Sequence, residues 1–260
     1  MSIRAPTPQS PDRLCRVPPC VDTRETRYWS DTHLGHTRIL EYCRRPFASV
    51  GAMDAALVAA CVEADGEGAR IIHAGDLAWW AWRETTAVLP PLAHAREHVA
   101  LVGNHDVALG WSTDGSIEAQ VTVSMPLRAV SDRPLSEWPS VAEPVAPRET
   151  NWSAWFARIV GDPAPAEWPR YGLFVDDVLD GAPVTVLVTH APSAELHGAH
   201  VNVHGHLHDN WDRAPHRHAA AYPFLVGSSR HYNASVERVG YRPRTLQWIA
   251  EAQRARYGIP

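Results

Sequence analysis

Arg27-Tyr28-Trp29-Ser30-Asp31-Thr32-His33-Leu34-Gly35-His36 is a short apolar run that stops at two residue types able to hold a metal ion. Tyr28 and Trp29 favour a pleated, half-buried backbone. Residues 27–30 therefore predict a short strand ending at Asp31. The segment 37–44 predicts a helix, closed by Pro46. A strand thus delivers Asp31 and His33 to its carboxyl end, and a helix leads away. Open α/β sheets place ligands at that kind of position.

The arrangement recurs along the chain. Residues 51–64 carry Met53, Leu57, Val58, Cys61 and Val62 at helical spacing. A strand over 70–74 follows and runs into Gly75-Asp76. A helix over 78–88 leads to a strand over 98–102, which runs into Gly103-Asn104-His105-Asp106. Strands over 171–178 and 183–189 flank Asp180-Gly181, a hairpin turn signal, and the second ends at His190. A strand over 201–203 precedes Gly205-His206-Leu207-His208. Strands over 222–226 and 232–239 and a helix over 245–256 complete the chain. Strands alternate with helices early and hairpins dominate late, which predicts an α/β or α+β sandwich. Residues 1–25 hold five prolines and read as an extended or disordered arm. Residues 26–260 read as a single domain. Within it, 112–169 is rich in Pro and Trp and reads as an insertion or lid.

Composition narrows the chemistry. Of 260 residues, 45% are hydrophobic and 20% charged, ordinary for a soluble globular protein. Every one of the 24 basic residues is Arg. The absence of Lys excludes Schiff-base enzymes, pyridoxal enzymes and Walker-type phosphate loops. A net charge of −5 with no basic run argues against a duplex nucleic-acid partner. Cys15, Cys20, Cys43 and Cys61 form no C-x-x-C pair and read as reduced thiols. No apolar run is long enough to cross a membrane, and the N-terminus lacks a secretory apolar region, so a cytoplasmic location is expected.

The strand-end clusters together supply Asp31, His33, Asp76, Asn104, His190, His206 and His208, with His105 to spare. No thiolate takes part. Such oxygen and nitrogen donors suit Mn²⁺, Fe, Zn²⁺, Ni²⁺ or Co²⁺. Any one cluster is weak; five in this order are specific. His73 and His204, within strands, read as satisfied core residues. Trp79, Trp80 and Trp82 read as helix packing, and Arg230 and Arg242 as solvated side chains.

The five clusters resemble those of calcineurin-like metallophosphoesterases. Asp31-Thr32-His33-Leu34-Gly35-His36, Asn233-Ala234-Ser235-Val236 and Gly240-Tyr241-Arg242-Pro243 resemble a small bacterial and phage subgroup. The likeness covers most of 26–110 and 171–250. It implies a four-layer α/β/β/α sandwich of two mixed sheets flanked by helices. It also implies two divalent transition-metal ions, manganese foremost. Asp31, His33 and His208 would bind one ion. Asn104, His190 and His206 would bind the other, with Asp76 shared between them. Hydrolysis of a phosphoester would proceed by in-line attack of a hydroxide shared by the two ions. His105 would be the proton donor to the leaving group, oriented by Asp106. His36, near a helix start, would touch the substrate phosphate or orient a ligand. The substrate implied is a small phosphorylated molecule, nucleotides included, as a diester or monoester. A nuclease and a non-catalytic metal-binding scaffold are the alternatives. Retention of all seven ligand types and His105 argues against the scaffold.

Overall fold

The computed structural model describes residues 13–16, 25–77, 98–101, 171–213, 219–220 and 222–259. In chain order the elements are β1 (Arg13–Arg16), β2 (Thr26–Trp29), α1 (Ile39–Tyr42), α2 (Val50–Gly66), β3 (Arg70–His73) and β4 (His98–Ala100). Then come β5 (Tyr171–Leu179), β6 (Ala182–Thr189), β7 (Val201–His204), α3 (Asn210–Arg213) and a 3-10 turn at Pro223–Leu225. β8 (His231–Asn233), α4 (Val236–Val239), β9 (Arg244–Thr245) and α5 (Leu246–Tyr257) finish the chain.

The protein is α+β, with two mixed sheets and helices. One sheet runs β1-β5-β6-β7-β8 and the other β4-β3-β2-β9. In the first, only the β5–β6 hairpin is antiparallel; in the second, only β9 is. Register matters for function. Trp29 pairs with His73 and His73 with Ala100, so β2, β3 and β4 end level. Thr189 pairs with His204 and His204 with Asn233, so β6, β7 and β8 end level too. A bridge between Ser30 and Ser235 ties these two sets of ends together.

The core explains why the sheets meet. α2 starts at Ser49, whose hydroxyl accepts from the Ala52 N–H at 3.2 Å. Its Met53, Leu57, Val58, Cys61 and Ala64 are buried at helical spacing. α5 is capped by the Thr245 hydroxyl and stopped by Gly258 in the left-handed region at φ 62°. These helices share one apolar cluster with Tyr28, Trp29, Ile71 and Ile72 of the smaller sheet and Val175, Val186, Val203 and Tyr232 of the larger. Each such side chain contributes roughly 1.5–3 kcal/mol by leaving water. The Tyr28 hydroxyl donates to Asp177 Oδ2 at 2.6 Å, a polar link between the sheets.

Two sequence expectations need correction. The strand expected over 222–226 is the 3-10 turn, because Pro223 has no N–H to give a ladder and its fixed φ suits the first helical position. The strand expected over 232–239 stops at Asn233, where Asn233 Oδ1 accepts from the Ser235 N–H and hydroxyl and the chain turns into α4. Within the proline-rich arm, expected to be extended or disordered, Arg13–Arg16 is extended as a strand parallel to β5. The helix expected over 78–88, Trp79, Trp80, Trp82 and the 112–169 insertion lie outside the described residues. Among the described residues no helix is long and apolar enough to cross a membrane.

Candidate metal centre

The level strand ends deliver the candidate ligands together. Asp31 and His33 follow β2, Asp76 follows β3, His190 follows β6, and His206 and His208 follow β7. The loops after β2 and β3 then run side by side. The Asp31 N–H donates to the Gly75 carbonyl, His33 N–H to Asp76, and Leu34 N–H to Leu77, each at 3.0 Å. Asp31, His33, Asp76, His206 and His208 all have φ between 50° and 68°. Non-glycine residues seldom adopt this region, and clusters of such strain mark functional sites.

The side chains converge. Asp76 Oδ2 lies 3.5 Å from His33 Nε2 and 3.4 Å from His190 Nε2, between the two. Asp31 Oδ1 lies 3.6 Å from His208 Nε2 and 4.0 Å from His33 Nε2. The His33 and His208 rings stack with centroids 5.1 Å apart. Two donor sets, Asp31-His33-His208 and Asp31-Asp76-His190, each have donor atoms within 4.8 Å of one another. Either could hold a metal ion. His206 sits at their edge: its ring is 5.1 Å from the His190 ring, and its N–H donates to both oxygens of Asp31 at 3.0 and 2.9 Å.

Close packing fixes this geometry. A Cβ on Gly205 would lie 1.9 Å from Ser30 Oγ and 2.3 Å from Asp31 Oδ2, so only glycine fits. Asp31 Oδ2 also accepts from the Ser235 hydroxyl at 3.0 Å. The His190 Nδ1–H donates to the Ala74 carbonyl at 2.9 Å, which turns Nε2 toward Asp76. Asp54, on α2, accepts the Gly35 N–H on both oxygens at 3.1 and 3.0 Å and holds the loop between His33 and His36. Thr32 Oγ1 contacts His73 Nε2 at 3.0 Å and donates to the Leu77 carbonyl.

Electrostatics follow from burial and carboxylates. Burial lowers the His190 pKa, but Asp76 and Asp31 outweigh it and hold the ring up at about 9. Burial likewise opposes His208, whose pKa is raised well above its ordinary value by Asp31 and Glu237. Burial would raise Glu237, yet Arg45 and His208 bring it down to about 2. Burial pushes Asp54 up to about 6 against the Gly35 N–H and Arg45. His204, buried within β7, is lowered to about 3 by desolvation. The two carboxylates therefore draw positive charge onto the histidines that face them, and a divalent cation would displace those protons.

Asp31, His33, Asp76, His190 and His208 are brought together, with His206 adjacent. His36 is buried at 6% exposure, and its Nδ1 lies 3.4 Å from His33 Nδ1, a place suited to orienting that histidine. Asn104, His105 and Asp106 lie outside the described residues. Arg230 is not free in solvent: it donates to the Ala199 and His200 carbonyls. Arg242 pairs with Glu63. Three supporting residues, Arg45, Asp54 and Glu237, are not singled out by sequence; a fourth, Ser235, lies in the Asn233–Val236 motif. Cys43 and Cys61 are buried in the core and are not in disulfides.

No family model matches the chain, and no curated protein matches it. A solved structure of a protein of unknown function from Aquifex aeolicus is similar over 85% of this chain and 95% of that one. Its identity is 13% and its TM-score 0.47.

Proposed function

We propose that the chain is a metal-dependent phosphoesterase, folded as a four-layer α/β/β/α sandwich and acting on a small phosphorylated substrate. One observation carries this reading: Asp76 Oδ2 lies between His33 Nε2 and His190 Nε2, the histidines of two neighbouring donor sets. A carboxylate so placed could serve a cation in each set. The donors fit hard to borderline divalent ions, with carboxylate oxygens and imidazole nitrogens in both sets.

Asp31, His33 and His208 would hold one ion, and His190 and His206, with Asn104, the other. Two such ions lower the pKa of a water and neutralise charge on a phosphoryl group. The chain supplies the frame. Asp31 is locked by His206 and Ser235, and His190 is aimed by the Ala74 carbonyl. His36 steadies His33 through its other ring nitrogen. His105, on the resemblance of Asn104-His105, would give its proton to the leaving oxygen.

The test is turnover of bis(p-nitrophenyl) phosphate and p-nitrophenyl phosphate by metal-stripped protein, with and without Mn²⁺. Turnover restored by Mn²⁺ is expected, and the ratio of the two substrates separates diesterase from monoesterase. No turnover of either, with two ions bound per chain, overturns the reading for simple aryl phosphates.

A further inference from the structure

One well-connected polar group beside the candidate metal centre lies outside the two donor sets described above. Glu237, at the start of α4, is buried, with its side chain 3% exposed. The His208 Nδ1–H donates to its Oε1 at 3.1 Å, and Oε2 lies 3.3 Å away. The direction follows from the Arg45 guanidinium paired with the same group, because an ionised carboxylate can only accept. Arg45 grips the same carboxylate: Nε lies 2.8 Å and the NH2 nitrogen 2.7 Å from Oε1. The rest of that guanidinium reaches the loop after β2, where its NH2 nitrogen donates to the Asp31 carbonyl at 2.5 Å and NH1 to the Thr32 carbonyl at 2.7 Å.

We propose that Glu237, clamped by Arg45, is the positioning residue that makes His208 a metal donor through Nε2. This rests on the metal-centre reading above. With Nδ1–H committed to Glu237, the Nε2 lone pair points to the Asp31 side, 3.6 Å from Oδ1. A carboxylate behind an imidazole fixes its tautomer and strengthens it as a ligand. Arg45 joins that carboxylate to the backbone of Asp31, the other donor to the same ion. One guanidinium thus sets the spacing of two ligands that are far apart in sequence.

Cys43, His208 and Glu237 also have donor atoms within 4.8 Å of one another. Glu237 is nevertheless a poor direct ligand, because a guanidinium already occupies Oε1 and would repel a second cation there. Its place is behind the ligand, not on the metal.

The test uses the full chain. Mn²⁺ is titrated calorimetrically into metal-free wild type, Glu237→Gln and Arg45→Lys, and bound metal is counted by mass spectrometry. Gln keeps the shape and an acceptor but not the charge. Wild type is expected to bind two ions. Glu237→Gln should lose about 10- to 100-fold in affinity for one ion only, the size typical of an outer partner of a ligand. Arg45→Lys should weaken the same ion by less. Unchanged affinities in Glu237→Gln overturn the proposal and leave the metal centre standing. A wild type that binds no ion overturns both. Should the buried charge left on Arg45 unfold Glu237→Gln, the wild type alone decides. In zinc-loaded, ¹⁵N-histidine-labelled protein, His208 coordinated through Nε2 with a proton on Nδ1 supports the assignment. Coordination through Nδ1 overturns it.

Discussion

The hairpin turn between β5 and β6 and the loops of the candidate metal centre use the same backbone conformation for opposite ends. At the turn, Asp180 has φ 52° and Gly181 φ 76°. Asp-Gly is the pair that tolerates this geometry best, and the turn is exposed. The Asp180 carboxylate takes two hydrogen bonds from Arg254, at 2.9 and 2.7 Å, and lies outside the donor sets. At the centre, positive φ falls on Asp31, His33, Asp76, His206 and His208, five of the nine such non-glycine residues described. Histidine gains little locally from that conformation. Each costs on the order of 1 kcal/mol or more. At the turn, residue choice matches the backbone. At the centre, hydrogen bonds between the loops and close packing hold the same conformation, so that side chains aim inward.

That contrast can be broken where the centre is tightest. Gly205→Ala should destabilise the fold by about 3 kcal/mol or more, because the new methyl collides with Ser30 and Asp31. Urea denaturation measures it, and a loss below 1 kcal/mol would mean that the two loops slide apart easily.

The next effect is electrostatic and appears on metal removal. A histidine whose folded pKa is raised adds stability in full below its unfolded pKa, about 6.5, and loses it as pH climbs through the folded value. For His190 that window runs from about 6.5 to about 9. His208 shifts in the same direction. Metal-free protein should therefore lose stability across that range, on the order of 3 kcal/mol at most. Protein saturated with Mn²⁺ should not. Thermal melts at a series of pH values show it, and parallel curves for the two forms would exclude the histidines as the shared site of proton and metal.

The smallest effect belongs to the turn. Gly181→Ala should cost about 1 kcal/mol, from the positive φ alone, since nothing lies within 4 Å of the added methyl. Mn²⁺ affinity should stay at the wild-type value. A change there would couple the hairpin to the centre and erase the distinction.

The two regions also differ in how far they can be read from sequence. The hairpin is local, and Asp180-Gly181 between two strand-forming runs announces it. The six described candidate ligands are nearly as plain, because each follows a strand and strand ends are visible as stops in apolar runs. Their supports are not. Glu237 lies in VERV, an ordinary helical turn, and Arg45 precedes Pro46 in a loop. Their meaning comes from a contact spanning 192 residues, which no periodicity encodes. The misread strands have the same origin. Residues 232–239 alternate as a strand should, but the Asn233 side chain and the Ser30 bridge stop the ladder at its third residue. At 222–226 the apolar composition suggested a strand, and a single proline decided otherwise. Asp54 hides in plain sight: it lies on the buried face of α2, where a carboxylate is the unexpected residue.

The bond from the Ser235 hydroxyl to Asp31 spans 204 residues, and it has a consequence for synthesis. A growing chain exposes Asp31 and His33 early. At about 5–20 residues per second, Ser235 follows roughly 10–40 s later. Through that interval the earliest donors exist without the groups that orient them. On the proposed reading, ions bound in that period would be held as any short peptide holds them and would exchange freely, so selection between metals would wait until translation had passed the last of the locking residues.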